Sequence, residues 1–164
     1  MDPLFRTTYH SPIGDLEIAA TENEIVSVDF ARGRKARAAR FPRAAGAKEA
    51  SPALAAAVRQ LEEYFRGRRR VFELMLRLEG SDFQTSVWKA LLDVGYGETA
   101  SYGEIARSVR RPKAVRAVGG ANHSNPIAVI VPCHRIVGAS GALTGYGGGL
   151  WRKEWLLAHE KKHR

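Results

Sequence analysis

The chain reads as an α+β protein: a small N-terminal sheet with one helix, followed by a mostly helical C-terminal part that carries a winged-helix-like helix-turn-helix. Three observations predict this. β-rich stretches at Thr7 to Tyr9, Leu16 to Ala20 and Ile25 to Phe30 are broken by turn residues at Pro12-Ile13-Gly14 and Glu22-Asn23. Between Pro52 and Phe65, the residues Leu54, Val58, Leu61 and Phe65 fall at helical spacing. Farther on, Ser81-Asp82-Phe83-Gln84 and Ser101-Tyr102-Gly103-Glu104 each have the form of a capping box, in which serine and Gln or Glu satisfy exposed backbone amides at a helix start. The expected boundary separates residues 1–78 from residues 79–164.

Each remaining element follows from local pattern. Residues 31–50 are basic, rich in Ala and Gly and without periodicity, so they read as a loop, and Val71 to Leu78 reads as one more strand. The first capping box predicts a helix to about Asp93 that buries Phe83, Val87, Leu91 and Leu92. The second opens a short helix over Ile105 to Val109, and another helix runs from Pro112-Lys113 to about Asn122. Two short helices joined by Arg110-Arg111-Pro112 make the helix-turn-helix. In the second of these, Ala114, Ala117 and Ala121 form a stripe without bulk, a face smooth enough either for tight helix packing or for close approach to a nucleic-acid backbone. The apolar run Ile127 to Val131 predicts a strand that Pro132 stops, and Trp155 to Glu160 lies on a C-terminal helix.

A net charge of +9, from 26 basic against 17 acidic residues, favours a polyanionic partner over an acidic small molecule. Its distribution is uneven. Between residues 101 and 135, Arg107, Arg110, Arg111, Lys113, Arg116 and Arg135 stand against the single acid Glu104. A second basic run, Arg32 to Arg43, reads as a solvated loop. With 164 residues, 45% of them apolar, the chain can bury a real core. No apolar run approaches 18 residues and Met1 to Phe5 shows no signal-peptide pattern, so the expectation is a soluble cytoplasmic protein.

The one cysteine excludes a disulfide framework and fits a reducing compartment. It sits in Val131-Pro132-Cys133-His134-Arg135-Ile136, with an imidazole next to it and a glycine-rich loop, Gly138 to Gly149, after it. A free thiol with a pKa near ~8.5 is only a few per cent thiolate at neutral pH, so a nucleophilic cysteine needs a base, and histidine is suited to be one. The other histidines, His10, His123, His159 and His163, show no ligand spacing and read as surface residues. No metal and no cofactor is expected.

The cysteine hexapeptide resembles the active-site segment of the O6-alkylguanine-DNA alkyltransferases, the methylated-DNA–protein-cysteine methyltransferases. The likeness extends in order through Asp82-Phe83-Gln84 with Val87 to Leu91, Tyr96-Gly97-Glu98-Thr99, Ser101 to Ala106, Arg116 to Gly119, Asn125-Pro126 and Gly145 to Gly149, and it is loose in the N-terminal half, mainly at Ser11 to Gly14 with Leu16. What it implies is direct, single-use repair: alkyl transfer from O6-alkylguanine in double-stranded DNA to Cys133, by a monomer, with O4-alkylthymine a further candidate substrate. The guanine O6 lies inside the stack, so the nucleotide must be flipped out before an in-line attack on the alkyl carbon.

The resemblance also assigns roles. Cys133 is the nucleophile, His134 the base acting through a bridging water, and Glu160 the residue that orients His134. Asn125 braces the site. Tyr102 presses on the rotating phosphate and donates its hydroxyl to the flipped base. Arg116 fills the gap left in the duplex, and Lys113, Ala114, Ala117 and Tyr102 contact DNA from the minor-groove side. Ile136, Tyr146, Gly147 and Gly148 line the substrate pocket. Relatives often carry serine where Gly147 stands, so here only a backbone amide could reach O6. The alternative reading is a lesion-binding protein without catalysis, whose known forms replace the cysteine by tryptophan; Cys133 argues against it. A Cys-His hydrolase is disfavoured because adjacent Cys and His make a poor dyad.

Overall fold

The computed structural model describes residues 3–31 and 51–164, so the basic run Arg32 to Arg43 lies outside the described residues. The chain forms two compact units. One contains residues 1–77 together with Pro126–Ile130, and the other contains Leu78–Asn125 and Val131–Arg164. The chain therefore leaves the second unit after Asn125 and re-enters it at Val131.

In the first unit, β1 (Phe5–Ser11), β2 (Gly14–Ala20) and β3 (Ile25–Phe30) make an antiparallel sheet in the order β1-β2-β3. Gly14, at φ 109°, turns the β1-β2 hairpin, a conformation that favours glycine. Helix α1 (Pro52–Phe65) starts with Ser51 accepting a hydrogen bond from the Leu54 amide, and buries Leu54, Leu61 and Tyr64. Two expected strands are absent as such. Val71 to Leu78 contributes only a single parallel bridge, Leu76 to Ile25, and Val71 and Met75 are exposed. Ile127 to Val131 is not a strand either: Ile127 makes one parallel bridge to Val28, after which Ile130 N–H closes a tight turn onto the Ala128 carbonyl with Val129 at φ 70°. Ile127 and Val129 to Val131 are buried, which explains the apolar run, because periodicity cannot separate a buried strand from a buried turn bounded by prolines.

The second unit carries helices α2 (Asp82–Leu92), α3 (Tyr102–Ser108), α4 (Val115–His123) and α5 (Leu150–Lys162). Both capping boxes form as expected at Ser81/Gln84 and Ser101/Glu104. The chain between α3 and α4 turns at Arg110, whose φ is 60°, with Arg111 N–H bonded to the Ala106 carbonyl. Helix α4 begins at Val115, two residues past Lys113, since Pro112-Lys113-Ala114 are spent on that turn. Trp88 on α2 is buried and donates its indole N–H to the Ala121 carbonyl of α4 at 2.8 Å. A 3-10 turn over Cys133–Arg135 leads into β5 (Ile136–Val137), which pairs in parallel with β4 (Ala100–Ser101).

Candidate active site

Cys133 stands at the first position of the 3-10 turn, 7% exposed, with its amide bonded to the Val131 carbonyl. Asn125 and Tyr146 are the side chains beside its thiol that favour the thiolate. Asn125 donates its amide nitrogen to the Val131 carbonyl at 2.8 Å. That bond joins the point where the chain leaves the second unit to the point where it returns, so Asn125 pins the segment that presents Cys133. Asn122 of α4 adds a contact from its amide nitrogen to the Cys133 carbonyl at 3.3 Å.

Burial pushes the Cys133 thiol up, while Asn125, the charge of Lys153 and Tyr146 act against burial. Tyr146 is itself raised well above the ordinary tyrosine value, by burial first and by Cys133 next, so its phenol stays neutral. The outcome is a shielded thiol that is still protonated at neutral pH. Deprotonation therefore needs a base.

The imidazole next in sequence, His134, is fully buried. His134 Nε2 lies 2.7 Å from Glu160 Oε2, and neither side chain reaches solvent. Glu160 is an acceptor only when ionised, so Nε2 carries the proton and the lone pair of the neutral ring is on Nδ1. His134 Nδ1 is buried and has no hydrogen-bond partner in the protein. Burial lowers the His134 pKa and the bond to Glu160 raises it in part, so the ring is neutral and able to accept a proton. Burial alone would raise the Glu160 carboxyl, but His134 and Arg135 together hold it well below the ordinary carboxylate range.

Arg135 counts by sequence among the cations of residues 101–135, but its charge is not at the surface. It is buried, with Nε 2.8 Å from Glu160 Oε1, Nη2 3.1 Å from Oε2 and Nη1 bonded to the Val94 carbonyl at 2.6 Å. The Gly97 amide also donates to Glu160 Oε1, at 3.2 Å. A buried carboxylate is stable only when its lone pairs are taken, and here His134, Arg135 and Gly97 take them. The sequence carried no local sign of this, because the partners lie 25 to 63 residues from Glu160. His159 departs from the expected surface position as well: it is buried and stacks on Trp155 at 4.7 Å between ring centroids.

The remaining candidates divide by exposure. Lys113, Arg116 and Ala117 are exposed, and Ala114 is partly so, along the start of α4. Tyr102, at the start of α3, lies over Gly119 of α4, where an added Cβ would meet its ring at 3.8 Å. Its hydroxyl bonds Thr144 Oγ1 at 2.6 Å. Gly147 is exposed and Gly148 partly so, in the loop that ends with Gly149 at φ 97°. Ile136 is fully buried in β5. Lys153, which sequence reading passed over, is fully buried on α5.

A helix-turn-helix with an exposed, small-residue second helix, joined in one unit to a buried cysteine and a His-Glu pair, defines a DNA-docking module with a nucleophile. Comparison with known proteins gives the family. The model described as "6-O-methylguanine DNA methyltransferase, DNA binding domain" matches residues 82–162, and "6-O-methylguanine DNA methyltransferase, ribonuclease-like domain" matches residues 4–78. The chain belongs to the 6-O-methylguanine DNA methyltransferase family. It is 48% identical to a methylated-DNA–protein-cysteine methyltransferase of Methanosarcina barkeri, over 93% of this chain and 94% of that one. A relative of the same name from Mycolicibacterium paratuberculosis is 49% identical over 95% and 92%. Among solved structures, the Mycobacterium tuberculosis O6-methylguanine methyltransferase superposes with a TM-score of 0.86 at 46% identity, covering 98% of this chain and 94% of that one. A complex of the M. tuberculosis protein with DNA matches equally well, at 97% and 94% coverage.

Proposed function

We propose that this protein repairs DNA by moving the alkyl group of O6-alkylguanine in a duplex onto Cys133, once per molecule. The observation that carries the reading is the chain's single cysteine, buried beside a His134–Glu160 pair that leaves the basic nitrogen of the imidazole unpartnered. The names of the relatives support it, as does the existence of a DNA complex for one of them.

His134 takes the thiol proton at Nδ1 through a bridging water, because direct contact between adjacent side chains is awkward, and Glu160 stabilises the imidazolium that forms. The thiolate attacks the alkyl carbon in line. The S–C bond forms as the C–O6 bond breaks, and the departing guanine anion takes up one proton. Tyr102, now bonded to Thr144, exchanges that partner for the flipped base and offsets its developing charge. Tyr146, Gly147, Gly148 and Ile136 line the pocket that receives the base.

Duplex docking falls to α4. Lys113, Arg116, Ala114 and Ala117 form an exposed edge of small and cationic residues, suited to lie along phosphates in the minor groove without reading sequence. Arg116 occupies the space vacated by the flipped nucleotide, offsetting part of an unstacking cost of a few kcal/mol. The protein works as a monomer, since every proposed catalytic group belongs to one chain, and in a reducing compartment that keeps the thiol free.

Intact mass after incubation with a duplex containing O6-methylguanine tests the reading. A gain of one methyl group, mapped to Cys133, is the expected result. An unchanged mass with the duplex bound would instead favour lesion binding without catalysis.

A further inference from the structure

The hydroxyls of Tyr102 and Thr144 stand 2.6 Å apart, and the reaction just described uses only the first of them. Tyr102 opens α3 with its ring over Gly119 of α4, so it is anchored in the helix-turn-helix. Thr144 belongs to the glycine-rich loop, half-buried between the exposed Leu143 and Gly145. Its carbonyl accepts a hydrogen bond from the Lys153 ammonium of α5 at 3.2 Å, and its Cγ2 lies over Gly138, where an added Cβ would meet it at 3.7 Å. One hydroxyl pair thus fastens the pocket loop to the helix-turn-helix.

That bond bears on access to the sulfur. Cys133 is buried, and Tyr146, two residues beyond Thr144, lies beside its thiol. In the reaction proposed above, the base is held from one side by Tyr102 and from the other by Tyr146, Gly147 and Gly148. A direct contact of 2.6 Å between Tyr102 and Thr144 joins those two sides and is too short to admit a ring between the hydroxyls. A phenol also has one proton to donate, so whenever Tyr102 gives it to Thr144 it is withheld from the base.

We propose that Thr144 is a specificity-determining residue of this site: its hydroxyl competes with the alkylated base for Tyr102 and keeps the loop closed over Cys133 until such a base enters. The proposal rests on the alkyl-transfer reading. A thiol that is used once is lost to any small electrophile that reaches it first, and a closed loop limits that loss. O6-alkylguanine has ring nitrogens that can accept the Tyr102 proton, so the bond it breaks is replaced. An alkyl halide gains nothing from Tyr102 and meets the closed loop.

Thr144→Val keeps the branched shape and removes the hydroxyl, while Thr144→Ser keeps the hydroxyl. Because the chain has one cysteine, its reaction with iodoacetamide reads access to Cys133 with no base present. A neutral hydrogen bond is worth a factor of roughly two to ten, so Thr144→Val and Tyr102→Phe should each react faster by that factor. The gain should be the same at every pH, and Thr144→Ser should keep the parental rate. An unchanged or lower rate in Thr144→Val would show that the bond does not close the site, and would overturn the proposal.

With free O6-benzylguanine the two variants should part, although both break the same bond. Thr144→Val should react faster than the parent by a similar factor of roughly two to ten. Tyr102→Phe should react more slowly, because losing a donor to the charge developing on the base outweighs the opened loop. An unchanged or slower reaction of Thr144→Val would mean that Thr144 supports Tyr102 during transfer instead of competing with the base, and would contradict the proposal. Failure of the alkyl-transfer reading would look different: no methyl gain from O6-methylguanine DNA, with the effect of Thr144→Val on the iodoacetamide rate intact.

Discussion

Arg116 and Arg135 carry the same guanidinium into opposite surroundings within one unit of the fold. Arg116 stands exposed on α4, on a face it shares with Gly119 and Gly120. Arg135 is buried, both edges of its guanidinium engaged by Glu160 and the Val94 carbonyl. An exposed arginine can reach a phosphate or a gap in a base stack at little cost to the fold. A buried one is part of the fold, because its removal or the removal of its partner leaves a charge without compensation. The first region can serve recognition without bearing on stability. In the second, the His134–Glu160 pair is a structural tie, so the chemistry proposed for it and the stability of the unit are coupled.

The largest effect should come from breaking that tie. Glu160→Gln leaves Arg135 buried without its counter-charge and His134 without its acceptor, and should destabilise the protein by about 3–5 kcal/mol, read from denaturant unfolding. A loss below about 1 kcal/mol would show that water or another group already compensates Arg135. Alkyl transfer should fall as well, since His134 loses the partner that fixes its tautomer.

Acid should reveal the same tie in the unaltered protein. His134 has a lowered pKa and Glu160 a lowered one, so in both cases the unfolded chain binds more protons than the folded chain, and stability rises with pH. Stability should be complete above about pH 6.5, decline below it as the unfolded His134 takes up a proton, and decline more steeply below about pH 4.5, where unfolded Glu160 does the same. Thermal melts across this range check the order, and Glu160→Gln should remove the lower limb. A melting temperature that stays flat from pH 7 to about 4 would contradict the buried neutral histidine.

Arg116→Ala should affect stability least, within about 0.5 kcal/mol. Its effect belongs to the duplex. Repair of O6-alkylguanine in double-stranded DNA should slow by roughly tenfold or more, the kinetic equivalent of about 1.4 kcal/mol, while reaction with free O6-benzylguanine is unchanged because a free base needs no flipping. Equal slowing of both substrates would remove the distinction between the two regions.

How much of this could be read from sequence follows the range of the interactions. Capping boxes at Ser81 and Ser101 are complete within four residues, and both formed as expected. The β1–β3 strands and α1 followed from period and turn residues. The buried run Ile127 to Val131 misled because burial, not pairing, selects its residues, and the turn at Val129 has no sequence signature. Arg135 misled for a similar reason: nothing near it indicates that Glu160, 25 residues on, will claim its charge. Lys153 was invisible, since a lysine on an amphipathic helix is ordinarily solvated and its acceptors here are backbone carbonyls.

The central claim is that Cys133 accepts one alkyl group for good. With no second cysteine in the chain to take it over, a thioether at this position has no route back to a thiol. Incubating the protein with a large excess of duplex bearing O6-methylguanine, and counting repaired bases against protein molecules over time, tests this directly. Repair should plateau at one base per protein, with the methyl group on the Cys133 peptide. Repair that continues past that plateau, or a plateau reached by Cys133→Ser, would contradict the account.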